Sequence, residues 1–205
     1  MTASAPSRIA AVVLAAGRSS RMGANKLVLE LGGKPVIRHA LDAITASRID
    51  KTLVVLGHEA EQVRMAAGTQ AAFVINPNFA AGMSTSLKAG LAALPPDVDG
   101  AMIFLGDMPD IEPVLIDRMI AAFDPTRGRD LVVPLRHGRR GHPVLWGRAF
   151  FPLLLREMQG DSGARDLIAA HAERLVEIEA PSDGVLLDLD TPEALLRRRQ
   201  AGEPA

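Results

Sequence analysis

Short apolar runs alternate with amphipathic stretches along most of this 205-residue chain, and that alternation narrows the folds open to it. The runs at 9–14, 52–56, 72–75, 101–105 and 131–134 read as strands, the first as a buried parallel one. Between them, 35–46, 59–67, 84–94 and 113–123 read as helices. Pro35 and Pro113 suit a first helical turn, where a missing N–H costs nothing. This alternation predicts an α/β protein with a mostly parallel sheet covered by helices. Ligands of such sheets sit beyond the carboxyl ends of the strands, so the residues following each run are where chemistry is sought.

Past Pro134 the alternation weakens. Residues 136–146 read as a basic loop entering a short strand, 148–157 as an amphipathic segment, and 160–166 as a turn leading into a helix. Strands are expected near 175–178 and 185–189. A closing helix follows, with Thr191 as N-cap and Pro192 at the first helical position. No repeat, linker or composition break interrupts the chain, which predicts one domain over 1–205.

Composition removes several function classes. A net charge of −1 provides no field toward nucleic acid or membrane, and 3% aromatic residues leave few platforms for stacking bases. The absence of cysteine excludes disulfides, thiolate metal sites and cysteine nucleophiles. No signal-like N-terminus is evident, and no apolar run approaches the ~20 residues that span a bilayer. The expectation is a cytoplasmic protein.

The first strand runs into Leu14, Ala15, Ala16, Gly17, Arg18, Ser19, Ser20, Arg21, Met22, Gly23, Ala24, Asn25 and Lys26. Small residues let a ligand approach the backbone, while basic side chains and free N–H groups suit polyphosphate. This is not a Walker A loop: the only Gly-Lys pair, Gly33-Lys34, precedes Pro35, with Val28 where the first glycine belongs. Nor is it a dinucleotide G-x-G-x-x-G, since five residues separate Gly17 from Gly23.

Two later strands end on residues of matching chemistry. Asp107 follows Gly106 at the end of 101–105, where a carboxylate can reach Mg²⁺ held by a triphosphate, although capping the next helix is an alternative. Asn76, Phe79, Gly82, Met83 and Ser86 span the turn from 72–75 into a helix. They offer either a hydrogen-bonding wall for a ligand or an ordinary Ser-capped helix start. Asp188 and Asp190 share a face if their segment is extended, with a structural role at the helix start the alternative for Asp190. Arg136, Arg139, Arg140 and His142 could clamp an anionic acceptor or form a solvated loop.

Taken in order, 14–26 resembles the signature L-A-A/G-G-x-S-x-R-M-G-x-x-K of nucleotidyltransferases with the nucleotide-diphospho-sugar transferase fold. The resemblance implies a three-layer α/β/α, Rossmann-like fold with a mostly parallel mixed sheet. It implies that Leu14, Ala15, Ala16, Gly17 and Ser19 wrap a nucleoside triphosphate, and that Arg21 and Lys26 stabilise the leaving pyrophosphate. Asp107 would hold Mg²⁺, with Asp190 rather than Asp188 preferred as second ligand. Asn76, Gly82, Met83 and Ser86 would enclose base and ribose. Gly141–Trp146 resembles the family's G-x-P-x-x-F/W strand and Gly160–Arg165 its G-D-x-G-A-R turn, which places Arg140, His142, Asp161 and Arg165 on the acceptor side. The nearest form is the molybdenum cofactor cytidylyltransferase branch, implying CTP as donor, molybdopterin as acceptor and a molybdoenzyme client. Alternatives are guanylyl or other nucleotidyl transfer to molybdopterin, a sugar phosphate or another small phosphorylated acceptor. A non-catalytic molybdopterin-binding maturation factor is a further one.

Overall fold

Strand β1 (Ile9–Ala15) is apolar on both faces, and a strand of that kind needs cover on both. Ile9, Ala11, Val13 and Ala15 enter one core, while Ala10 and Val12 enter another. The computed structural model describes residues 7–19, 23–158 and 164–202. Among them, β1 lies between two parallel neighbours, β4 (Lys51–Leu56) and β6 (Gly100–Leu105). The small hairpin β2 (Glu30–Leu31) and β3 (Lys34–Pro35) stands apart from the main sheet. Beyond β4 the sheet ends in β5 (Ala72–Ile75). On the other side come β7 (Leu131–Arg136), β8 (Arg139–Arg140), β9 (Val144–Gly147) and β10 (Leu175–Glu179). The order is β10-β7-β9-β6-β1-β4-β5, with β8 paired to β7 and β9 antiparallel to both its neighbours.

Helices cover both faces. Helices α1 (Val36–Thr45) and α2 (Ala60–Ala67) contribute Ile37, Leu41, Ile44 and Val63 to the first core. The second core takes Leu87 and Leu91 from α3 (Met83–Ala92). Leu115, Ile116 and Met119 of α4 (Pro113–Ala122) return to the first. Phe151 and Leu154 of α5 (Phe151–Glu157), with Leu167 and Ile168 of α6 (Ala164–Ala170), close the second. Helix α7 (Pro192–Gly202) seats Leu195 against Leu31, Val36 and Leu189. The expected three-layer α/β/α arrangement with a mostly parallel mixed sheet is present. No helix among the described residues is long and apolar enough to cross a membrane.

Several local expectations are corrected. Residues 185–189 form no strand: a 3-10 turn, Asp183–Leu186, leads into irregular chain. Its backbone groups go to neighbouring loops instead of a sheet partner. The Val185 carbonyl accepts from the His142 N–H (3.0 Å), and a Cβ on Gly184 would stand 2.2 Å from the Asp110 carbonyl oxygen. The basic stretch is a hairpin of β7 and β8, not an open loop, and two of its arginines are paired. Arg136 donates to Asp183 (2.7 Å) and Arg140 to Glu177 (2.7 Å). Thr191 does cap α7, accepting from the Ala194 N–H at 3.2 Å.

Candidate active site

The chain runs from β1 outward through β4 to β5 and then crosses back to β6 on the other side of β1, which opens a crevice at the carboxyl end of β1. An open cleft of about 460 Å³ occupies that position. Its floor is Leu14 to Ser19 with Lys26 and Leu27, and its walls are Phe79 to Ser86 on one side and Leu105, Asp107, Asp188 and Asp190 on the other. Segments far apart in sequence meet here because each follows a strand end or crosses one.

The loop after β1 is pinned at both sides. The Leu14 carbonyl accepts from the Gly106 N–H (3.0 Å), and the Ala16 carbonyl from the His58 N–H (3.2 Å). Gly57 makes this approach possible, since a Cβ there would lie 2.7 Å from the Cβ atoms of Ala16 and Phe79. Ser19 adopts a left-handed φ of 50°, uncommon outside glycine, and its Oγ accepts from the Lys26 N–H (3.2 Å). Buried Asn25 caps the 3-10 turn Lys26–Val28, accepting from the Leu27 N–H (3.2 Å). Those contacts fix the root of the Lys26 side chain and leave its stem to reach across the cleft.

The Lys26 ammonium contacts both Asp107 and Asp190. Asp190 and its neighbour reach the cleft because Leu189 is buried and its N–H donates to the Asp107 carbonyl (3.2 Å), so the two loops run side by side. Burial works against the charge on Lys26, but the Asp107 carboxylate, and then Asp190, outweigh it and hold its pKa above the ordinary lysine value. Asp188 goes the other way: burial, then repulsion from Asp190 and Asp107, raises its carboxyl above the ordinary 3.8. Three carboxylates therefore share one ammonium, an excess of negative charge that a hard cation would relieve.

The donor set fits such a cation in one particular form. Among the described residues no three acidic or imidazole groups converge at metal-ligand spacing, so an all-protein cage is absent. Two carboxylate oxygens already gathered on a single positive atom suit an ion that completes its shell with phosphate oxygens and water, as Mg²⁺ does.

The opposite wall rests on Asn76, which is 3% exposed and does not line the cleft. Its Nδ2 donates to Thr85 Oγ1 (2.8 Å) and Ser86 Oγ (3.0 Å), and its Oδ1 accepts from the Asn78 N–H (2.9 Å). Asn76 thus braces the start of α3, while Gly82, Met83 and Ser86 face the cleft. Gly82, not a serine, is the N-cap of that helix, which begins at Met83. The Arg18 guanidinium stands 5.5 Å from the Phe79 ring centre, a cation–π contact at the cleft's lip. Sequence reasoning passed over Arg18, Asn25 and Gly57. The first two lie inside the quoted motif, and Gly57 directly after a strand.

On the expected acceptor side, His142 lies within electrostatic reach of Asp107 and Arg165, and its Nδ1 is buried without a partner. Burial pushes its pKa below the ordinary 6.5, favouring a neutral ring. Arg140 is drawn instead to Glu177 on β10 and does not line the cleft. Asp110, in the loop after Asp107, takes a two-oxygen contact from the Arg198 Nε (2.7 and 2.9 Å). Arg198 therefore secures α7 to that loop. Arg21 and Asp161 lie outside the described residues.

A glycine-containing loop, an ammonium and paired carboxylates at one strand-end crevice have the chemistry to handle phosphate. The family model described as MobA-like NTP transferase domain matches residues 11–175. The chain belongs to that family. Like other MobA-like NTP transferase domains, it is a nucleotidyltransferase. It is 29% identical to the molybdenum cofactor cytidylyltransferase of Escherichia coli (strain K12), over 95% of this chain and 97% of that protein. It is 26% identical to the nicotine blue oxidoreductase of Paenarthrobacter nicotinovorans, over 92% and 95% of the two chains. The crystal structure of Rv0371c from Mycobacterium tuberculosis H37Rv superposes with a TM-score of 0.83 and 29% identity, covering 96% of this chain and all of that one; another structure of it is a complex with manganese. The chain spans 35% of the bifunctional GlmU of Kineococcus radiotolerans, to which it is 30% identical.

Proposed function

We propose that this nucleotidyltransferase moves CMP from CTP to a phosphate of molybdopterin and releases pyrophosphate. The observation carrying the reaction type is the Lys26 ammonium on Asp107 and Asp190 at the end of the β1 loop. An acceptor phosphate is already ionised and needs no general base, so alignment and charge neutralisation carry the step. The loop at Leu14–Ser19 receives the phosphates, and Lys26 with Arg21 stabilises the departing pyrophosphate. Gly82, Met83 and Ser86 border base and ribose, over a frame held by Asn76. Asp107 and Asp190 would hold a divalent cation, which would supply charge neutralisation at the α-phosphate. His142, Arg165 and Asp161 orient the acceptor, with Arg140 the more remote member. The choice of cytidine and molybdopterin leans on the E. coli relative and on Leu14-Ala15-Ala16-Gly17.

Pyrophosphate release with each of four nucleoside triphosphates and Mg²⁺, with and without molybdopterin, tests this reading. CTP with molybdopterin is expected to support turnover. Turnover only with GTP, or only with a sugar phosphate, would overturn the specificity and keep the class. An oxidoreductase role, suggested by one relative's name, predicts no pyrophosphate in any mixture.

A further inference from the structure

We propose that Lys26 is an internal stand-in for the divalent cation: its ammonium holds Asp107 and Asp190 in the resting protein, excludes free metal, and yields them only when triphosphate draws it away. This rests on the metal-assisted reading above and adds an order to binding.

The geometry leaves little room for another arrangement. One ammonium touches carboxylates from two loops, 83 residues apart in sequence, inside a cleft where the Lys26 and Asp107 side chains are each 14% exposed. A divalent ion using those two oxygens would stand against that ammonium, and like charges at contact distance repel strongly in a half-buried site. Free metal must therefore displace Lys26 without offering it a new partner. Triphosphate changes the exchange. The root of Lys26 is fixed, through its N–H on Ser19 and through the Asn25 cap, while the four-carbon stem remains a flexible arm. Phosphate oxygens on the adjacent loop give the ammonium a second anionic seat. The vacated carboxylates then face phosphate, a juxtaposition of like charge that a divalent cation resolves. Metal and nucleotide thus enter as coupled ligands, each strengthening the other. Asp188, repelled by both partners of Lys26, adds to the charge that makes either cation necessary.

The test is Mn²⁺ binding to the full chain, read by the electron paramagnetic resonance of free MnCl₂, with and without α,β-methylene-CTP. Without nucleotide, Lys26→Met is expected to bind Mn²⁺ at least about tenfold more tightly than the unsubstituted protein, because the competing ammonium is gone. Lys26→Met/Asp107→Asn is expected to lose that gain, and Lys26→Gln serves if Met at this position unfolds the chain. The analogue should raise the unsubstituted protein's Mn²⁺ affinity by about tenfold or more, and that of Lys26→Met much less. Equal affinities of the unsubstituted protein and Lys26→Met without nucleotide would overturn the stand-in role; if Asp107→Asn then weakens both, the metal reading survives. No Mn²⁺ binding in any protein, analogue present or absent, would overturn both.

Discussion

Asp188 is the carboxylate that the cluster tolerates least. Burial and the charges of Asp190 and Asp107 raise its pKa, so the folded state holds its proton more tightly than the unfolded chain does. Ionised Asp188 therefore weakens the fold at neutral pH; the penalty shrinks as pH falls through that raised value and is gone below the ordinary 3.8. Asp188→Asn is expected to raise Tm at pH 7 by about 1 °C, a small gain because solvent screens an exposed carboxylate. Scanning calorimetry at neutral and acidic pH checks this, and the gain should disappear in acid. Lys26 has the opposite sign: its raised pKa keeps it an ammonium throughout the neutral range. The roles proposed for Lys26 and Asp107 were legible in sequence because each lies beyond a strand end within a spaced motif, and that for Asp190 because it stands in the spaced motif Asp188-Leu-Asp-Thr-Pro192. Their mutual contact was not, since nothing in a chain records that Leu189 will bond the Asp107 carbonyl.

The loop between β1 and the following 3-10 turn keeps its place because β4 is followed by a residue without a side chain, Gly57. Gly57→Ala would press its methyl against Ala16 and Phe79, forcing the loop away from the opposite wall. Overpacking of this kind costs about 1–3 kcal/mol. Displacement of the phosphate loop is expected to raise KM for nucleotide by about tenfold while changing kcat less, since the metal-side carboxylates stay in place. Steady-state kinetics separates the two, and unchanged KM would show that Gly57 does not set the loop. Strand-length elements were readable from their apolar runs, to within a residue or two at most ends. The segment at 185–189 misled because a short apolar run also suits a chain threaded between two loops. Its commitment to the Asp110 and His142 loops is a tertiary fact. Arg140 misled in a similar way: a cation beside a hairpin says nothing of the Glu177 waiting on β10.

At the far edge of the sheet, an ion pair on a buried carboxylate ties the start of β10 to the start of β7, beside the ladder that joins the two strands. Asp130 is 1% exposed and takes both its contacts from Arg174, whose guanidinium also lies 4.5 Å over the Phe150 ring. Removing one partner strands a buried charge, so Arg174→Ala is expected to cost about 3–5 kcal/mol in urea unfolding while the cleft keeps its chemistry. A loss below about 1 kcal/mol would mean that water reaches Asp130 when the arginine is gone. The cleft itself lies at the other end of the strands, where separately folded segments meet and the charge balance depends on all of them. The role proposed for Asp107 there is in nucleotidyl transfer, beyond capping a helix or holding Lys26. The most direct measurement is pyrophosphate release by Asp107→Ala at saturating CTP, Mg²⁺ and molybdopterin, on protein shown by circular dichroism to be folded. Loss of a metal-bearing carboxylate predicts a fall in turnover of about a thousandfold or more. Pyrophosphate release at the unsubstituted rate by the folded variant would contradict the account.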